Sequence, residues 1–139
     1  MNEESYRRLF YQIFRMDDHL SKRVLGGCEL STGQPKVLEE LFHHGEMTQK
    51  ELANQCHIAP ATLSRVLDKM VEHDLVIRKN DSEDRRSFII ALSHKGKEKE
   101  KLAAERLRQL EEVWFRGFDP EEKEQFYSSL IKILHNVQN

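Results

Sequence analysis

The sequence of 139 residues predicts a mostly α-helical protein with one small β-hairpin. Apolar residues recur at steps of three and four over most of the chain, which is the period of a helix with one buried stripe. Residues 76–92 depart from this period, with two runs rich in β-branched and aromatic residues. A pair of short helices directly precedes this hairpin, and longer helical patterns lie on both sides. The predicted fold is a winged helix-turn-helix, with the hairpin as its wing, between N- and C-terminal dimerisation helices.

Two helices are predicted before the helix-turn-helix. The first covers residues 6–24 and ends at Gly26-Gly27. Thr32 is the expected N-cap of the second, which places Pro35 at its third position, where a missing N–H costs little because first-turn amides have no partner. The apolar stripe of the first helix is Tyr6, Leu9, Phe10, Ile13, Phe14, Leu20 and Val24, and the buried face of the second is Val37, Leu38, Leu41 and Phe42.

The helix-turn-helix is predicted from its start signals. Thr48-Gln-Lys-Glu51 forms a capping box, and a short helix follows to about Cys56. Pro60 at the first position of the next helix forces a new axis after a brief turn. The core stripe of that helix is Leu63, Val66, Leu67, Met70, Val71 and Leu75, which leaves Ala61, Thr62, Ser64, Arg65, Asp68 and Lys69 on the outward face.

The wing is predicted from two short strands, residues 76–79 and 87–92. The residues between them, starting with Asn80-Asp-Ser-Glu-Asp84, favour a turn. Arg85 and Arg86 therefore lie close to the tip of the hairpin.

Two further helices complete the chain. One is predicted from about Lys95 to Phe118, and its charged opening, residues 95–101, is expected to be solvated. Asp119 is the N-cap of the last helix, with proline at the first position and glutamate at the third. The helices at both ends carry wider apolar stripes than a helix-turn-helix of this size needs. We therefore expect one unit, 1–139, with a DNA-binding region at 30–93 and helical dimerisation regions at 1–29 and 94–139.

Composition limits the class of function. The formal net charge is −2, so any positive surface for nucleic acid must be local. The longest aliphatic and aromatic run, residues 88–92, is far shorter than the ~20 apolar residues that span a bilayer, and the charged N-terminus has no signal-peptide core. We expect a cytoplasmic protein with no membrane partner. Because no glycine-rich phosphate loop, metal-ligand cluster or positioned nucleophile is visible, we expect neither catalysis nor a cofactor or metal.

Together these residues resemble the MarR family of winged-helix transcriptional regulators. The wing signature of that family is Asp, any residue, Arg, three residues, an aliphatic residue, any residue, then Leu followed by Thr or Ser. Here it reads Asp84-Arg-Arg86-Ser-Phe-Ile-Ile90-Ala-Leu92-Ser93, with Ser93 in place of the commoner threonine. Residues 48–53, 62–65, 67–70 and 74–78 also look like the family's helix-turn-helix and its exit into the wing, so the resemblance covers nearly the whole chain.

The resemblance implies a homodimer that binds double-stranded DNA at a pseudo-palindromic operator. Its half-sites would lie about one helical turn apart, at roughly 34–36 Å. Thr62, Ser64 and Arg65 match the family's major-groove positions, where arginine pairs bidentately with guanine. Lys69 lies one turn further and is expected to meet phosphate. The DNA-binding residues expected on this helix are Pro60, Ala61, Thr62, Ser64, Arg65 and Lys69.

The wing arginines have two roles open to them. Arg85 and Arg86 match the positions that approach the minor groove, whose negative potential attracts a guanidinium. Alternatively, Arg86 pairs with Asp84 and braces the wing. Neighbouring carboxylates, Asp81 and Glu83 among them, weaken the local positive field.

Several other residues carry alternative interpretations. Cys28 is a candidate redox sensor, because it lies just past the first predicted helix and some relatives use a cysteine in that helix as a peroxide sensor. No basic residue is adjacent in sequence to lower its pKa. Cys56 is expected to be a small core residue. A zinc site is conceivable from Cys28, Glu29, His19, His43 and His44, against an exposed histidine pair at a helix end. Trp114 either lines an effector cavity or belongs to the core or a dimer interface.

The residues and the resemblance together favour a DNA-binding homodimer that acts as a repressor, with an activator as the open alternative. It would be released when an effector, small-molecule or other, changes the spacing of its two recognition helices. The alternative hypothesis is a helical interaction module whose winged helix binds a protein partner. The acidic net charge is the feature that favours this alternative.

Overall fold

The structure is a computed structural model and describes residues 5–139. It is mostly helical with a small antiparallel sheet, which confirms the predicted fold class. Residues up to Leu107 form one compact unit, and Arg108–Asn139 form a second. In chain order the elements are α1 (Tyr6–Gly27), α2 (Gln34–His44), β1 (Met47–Thr48), α3 (Gln49–Cys56), α4 (Pro60–Glu72), β2 (Val76–Asn80), β3 (Phe88–Leu92), α5 (His94–Trp114) and α6 (Pro120–Gln138).

Two helix starts follow directly from the sequence. The Thr48 hydroxyl accepts from the Glu51 amide at 3.1 Å, and the Glu51 carboxylate accepts from the Thr48 amide at 3.0 Å. Asp119 and Glu122 form the same reciprocal pair at the start of α6, at 2.9 and 3.0 Å. Both predicted capping boxes are confirmed, because each needs only residues three apart in the chain.

The start of α2 differs from the prediction. Its N-cap is Gly33 and not Thr32, so Pro35 occupies the second helical position. Gly33 has a φ of 88°, a conformation that favours glycine. A Cβ added there would lie 3.0 Å from Cγ2 of Val66 on α4. Glycine therefore suits this N-cap position for two reasons, its positive φ and the close approach of Val66.

The sheet contains one strand that the sequence pattern did not predict. Its order is β1-β3-β2, with both pairings antiparallel. The central residue Ile90 of β3 is fully buried and pairs with Met47 on one side and Arg78 on the other. A strand of two residues is too short to show a period of two, which is why β1 was missed.

The core of the first unit lies between α2, α3, α4 and the sheet. Phe42 and Val71 were predicted to be buried, but they are 43% and 39% exposed. The elements that pack on α2 and α4 cover a narrower arc of each helix than its apolar residues occupy. Phe42 and Val71 therefore stay partly in contact with solvent. The largest fully buried side chains are Val37, Leu38, Leu52, Leu63, Leu67, Met70 and Ile90.

The junction between β3 and α5 is held by Ser93, the last residue of the wing signature. Its hydroxyl donates to the Asp74 carbonyl oxygen and accepts from the Gly96 amide at 2.9 Å. A Cβ on Gly96 would lie 2.0 Å from the Leu75 carbonyl oxygen. Glycine at this position therefore lets the first turn of α5 lie directly on the segment that follows α4.

The opening of α5 is not fully solvated, contrary to the prediction for residues 95–101. Gly96 and Glu100 are buried, with Glu100 only 6% exposed. Burial raises the pKa of the Glu100 carboxyl to about 7, and the nearby Glu39 carboxylate raises it further in the same direction. The run of charges in the sequence does not reveal which residues of the turn face the core.

The helices at both ends of the chain leave many apolar side chains exposed. In α1 only Leu25 is buried, and α6 has no buried residue. Tyr6 and Phe14 are 84% and 68% exposed. No helix within residues 5–139 has the length and apolar character to cross a membrane. The division into a DNA-binding region at 30–93 and dimerisation regions on either side stays a prediction.

Candidate nucleic-acid interface

The first turns of α4 present a small, open surface. Pro60 is the first helical residue, and Ala59 before it makes no side-chain cap hydrogen bond. Most of the residues predicted to face DNA are exposed, whereas Ser64 is half-buried. Because the side chains near the helix start are short, the backbone of this end is accessible to a large partner. The exposed residues of the predicted set on α4 are Pro60, Ala61, Thr62, Arg65 and Lys69.

Two cationic side chains lie one turn apart on the same face of α4. Arg65 and Lys69 both line a shallow cavity of about 250 Å³ beside the helix. Ser31 and Thr32, from the loop before α2, also line that cavity. The face that carries the two cations is therefore continuous with a shallow groove beside this loop.

The wing loop between β2 and β3 uses its acidic residues as turn formers. The Asp81 carboxylate accepts from the Glu83 amide at 3.0 Å, and the Asp84 carboxylate accepts from the Arg86 amide at 2.9 Å. Within the part of the chain that the structure describes, no ion pair joins Asp84 to the Arg86 guanidinium. The contact between Asp84 and Arg86 thus runs through the backbone, which leaves both wing arginine side chains exposed.

Arg78 on β2 connects the wing to α4, and the sequence analysis did not single it out. Its guanidinium donates to the Asp68 carboxylate at 2.8 Å and to the Ser64 carbonyl oxygen at 3.3 Å. It also lies over the Phe88 ring, 5.7 Å from the centroid. The signal that could have identified Arg78 is the alternation of inward and outward side chains along β2. Val76 is buried, Ile77 is exposed, and Arg78 is again on the inward side.

The cysteines and histidines show no cluster of ligands. Cys56 is buried as predicted, and burial raises the pKa of its thiol to about 11. Cys28 is also buried, and its carbonyl oxygen accepts from the Lys99 ammonium at 3.0 Å. His44 lies 3.3 Å from the Glu40 carboxylate. Among residues 5–139, no three His, Cys, Asp or Glu side chains are grouped as a metal site requires, and a redox role for Cys28 stays a prediction.

The aromatic residues around Trp114 contact one another within the second unit. The Phe115 ring lies 5.5 Å from Phe118 and 6.1 Å from Phe126, both in edge-on geometry. Trp114 itself is 43% exposed and lies 6.4 Å from Phe115. Its predicted place in an effector cavity, a core or a dimer interface stays open.

Comparison with known proteins gives consistent matches. The model of the MarR family matches residues 30–88. The HTH-type transcriptional regulator YsmB of Bacillus subtilis (strain 168) is 31% identical over 120 residues, which cover 84% of this chain and 80% of that protein. The HTH-type transcriptional repressor YetL of the same organism is 27% identical over 130 residues, 91% of this chain and 77% of YetL.

Solved structures share the fold. The crystal structure of MarR aligns with a TM-score of 0.86 at 24% sequence identity, and the alignment covers 99% of this chain and 93% of that chain. The likeness therefore extends over α1, α5 and α6 as well as the winged helix-turn-helix.

Proposed function

Because the chain belongs to the MarR family of transcriptional regulators, whose winged helix binds DNA, we propose that it is a homodimeric repressor of a pseudo-palindromic operator. The observation that carries this proposal is the exposed face of α4, where short side chains precede Arg65 and Lys69. A helix of this kind enters the major groove with its N-terminal residues at the base edges.

Each residue of α4 that is predicted to face DNA has a role that its chemistry fits. Thr62, Ser64 and Arg65 contact base edges, with Arg65 paired bidentately to a guanine. Lys69, one turn further from the helix start, contacts phosphate. Pro60 and Ala61 allow the first turn to approach the groove closely. Ser64 is half-buried, so its contact is the most restricted of the three.

The wing supplies a second contact with each half-site. Arg85 and Arg86 are exposed on the loop and lie beside carboxylates whose negative charge weakens the local attraction to the groove. The hydrogen bond from the Arg86 amide to Asp84 bends the loop without occupying the guanidinium. Either arginine is therefore available for the minor groove, and Asp84 braces the loop through the backbone.

Dimerisation is supported by the exposed apolar faces of the terminal helices. Tyr6, Phe14 and Met16 of α1 are each at least 68% exposed in the single chain. Apolar side chains at this density are rarely left in water, and a second copy of the same helices covers them in a two-fold arrangement. The two α4 helices of the dimer then contact the two half-sites of the operator.

Repression and release are the finer parts of the proposal. The similarity to YetL, which is named a repressor, supports repression. For release, a cavity of about 530 Å³ lies between α4, the start of α5 and the loop before α2. Lys69, His73, Lys95 and Lys99 are among its lining residues. An effector bound there contacts both the DNA-facing helix and α5, and it acts if it prefers one arrangement of the two.

Selection of bound duplexes from a random pool tests the function directly. We expect a two-fold operator with half-sites about one turn apart, at roughly 34–36 Å. A salt titration on the selected duplex should give a log K that falls by about 0.9 per phosphate contact for each log unit of salt. If no duplex is enriched and none is bound at low salt, the alternative of a protein-binding winged helix replaces this proposal.

A further inference from the structure

Arg78 is a single side chain that contacts both the DNA-facing helix and the wing. Its guanidinium donates to the Asp68 carboxylate at 2.8 Å and to the Ser64 carbonyl oxygen at 3.3 Å, both on α4. Its own strand is β2, and the ring over which it lies is Phe88 of β3. We propose that Arg78 is a positioning residue that fixes the wing relative to α4, so that the two DNA contacts are made in one geometry. This inference rests on the proposed DNA binding.

The chemistry of the guanidinium explains why it can set an angle. The guanidinium of Arg78 is planar and its N–H donors have a fixed geometry. Its two hydrogen bonds to α4 therefore define both the distance and the direction of β2 relative to that helix. The Phe88 ring limits rotation of the plane from one side. A lysine ammonium, which is a point charge on a flexible stem, cannot reproduce this combination.

Stability alone is a poor reason for an arginine at this position. The Arg78 side chain is 20% exposed, and its Nε is buried without a hydrogen-bond partner among the described residues. A buried donor without a partner opposes folding, and an ion pair whose carboxylate is largely exposed contributes little to stability. What the arginine adds here is a directional link between two elements.

The apolar contacts that hold the base of the wing are less directional. Val76 and Ile90 anchor the base of the hairpin in the apolar core. A small rotation of the hairpin changes the energy of apolar packing less than it changes the energy of the two hydrogen bonds that Arg78 donates. Arg85 and Arg86 lie past the end of β2, so the orientation of the hairpin on α4 decides where they lie relative to Arg65.

A second explanation of Arg78 is that it only neutralises Asp68. That carboxylate lies on the outward face of α4 with its side chain 63% exposed, where it would repel phosphate. The two explanations predict opposite results for Asp68→Asn. If Arg78 only neutralises, the substitution leaves operator binding unchanged or tighter. If Arg78 positions the wing, the substitution removes part of the link and weakens the wing contribution, although a negative charge has been removed.

The test is a mutant cycle on the operator obtained by duplex selection. The wing contribution is measured as the loss of affinity on Arg85→Ala/Arg86→Ala, expected to be about tenfold in the wild-type protein. In the Arg78→Gln background we expect the same pair of substitutions to lower the affinity less than about threefold, because the wing arginines are no longer held at the minor groove.

Lys79→Gln is the matched control, since it removes one positive charge from the same strand. In that background the tenfold loss of affinity should remain. Lys79 pairs with Glu46, and the described part of the chain shows no hydrogen bond or ion pair between Lys79 and α4.

Melting temperatures measured for every variant keep the test valid. If Arg78→Gln does not fold at the assay temperature, Asp68→Asn and Arg78→Lys take its place, each expected to lower the wing contribution. The inference is overturned if the wing substitutions cost the same factor in all backgrounds, or if they cost nothing in the wild-type protein. It is also overturned if Asp68→Asn keeps the full wing contribution. A wild-type protein that binds no duplex refutes the proposed function itself, which separates the two failures.

Discussion

Gly96 of α5 lies against the carbonyl group of Leu75, so close that an added Cβ would be 2.0 Å from the oxygen. Ser93 holds the same junction from the other side, because its hydroxyl accepts from the Gly96 amide and donates to the Asp74 carbonyl oxygen. The end of the wing signature is therefore the place where the strand, the end of α4 and the start of α5 are joined.

We expect Gly96→Ala to lower the free energy of unfolding by about 1–3 kcal/mol or more, because the backbone of α5 must move away from Leu75. Chemical denaturation of the purified protein measures this change. Gly26→Ala is the control, since Gly26 is also helical and has no atom within 4 Å of an added Cβ. That substitution should be neutral or stabilising by roughly 0.5–1 kcal/mol. Equal effects of the two substitutions would contradict the close approach.

Glu100 should make stability depend on pH. Its carboxyl pKa is raised to about 7 in the folded chain, first by burial and then by Glu39. The unfolded chain ionises first as the pH rises, so this residue favours folding most below the ordinary pKa of about 4.5. That contribution, on the order of 2–3 kcal/mol, is lost as the pH rises to about 7 and beyond.

The measurement is the free energy of unfolding of Glu100→Gln relative to the wild-type protein from pH 5 to pH 8. We expect the variant to gain relative stability across this range, because a neutral amide avoids the cost of a buried charge. Glu98→Gln, the same change at an exposed position of the same helix, is the control for the effect of the amide itself. A constant difference for Glu100→Gln would show that Glu100 ionises normally.

Arg65 and Lys69 should differ in how they affect DNA binding. Arg65→Ala is expected to cost ~1–3 kcal/mol on the operator and to relax discrimination at one base position. Lys69→Ala should weaken binding to all duplexes by a similar factor and lower the salt slope by about one phosphate contact. Affinities on the operator and on single-base variants distinguish the two. Sequence-independent losses from both substitutions would remove Arg65 from the base-reading set.

The apolar face of α1 should hold the dimer. Phe14 is 68% exposed in the single chain, and Phe14→Glu places a charge in the proposed interface. We expect dimerisation to weaken by ~2 kcal/mol or more, about thirtyfold in the dissociation constant. Sedimentation across a range of concentrations measures this change. Gln12→Glu adds the same charge at an exposed polar position of α1 and should leave dimerisation unchanged; an unchanged dimer in both variants would place the interface elsewhere.

The sequence by itself determined several features that depend on neighbours in the chain. The capping boxes at Thr48 and Asp119 join residues three apart, and Pro60 begins α4 because of its own ring. The period of α4 separated its core stripe from the face that carries Arg65 and Lys69. The wing signature ending in Leu92-Ser93 indicated the family. All of these depend on short-range geometry that the residue types dictate.

Only the tertiary structure decided what depends on the approach of distant elements. The close approach of Val66 to Gly33 and the burial of Glu100 both depend on how distant elements pack in the first unit. In the sequence Arg78 looks like an ordinary basic residue of a strand. In the structure it links β2 to α4, because it pairs with Asp68, ten residues earlier. Side-chain partners at such separations are set by packing, and the periodicity of a single helix or strand carries no information about them.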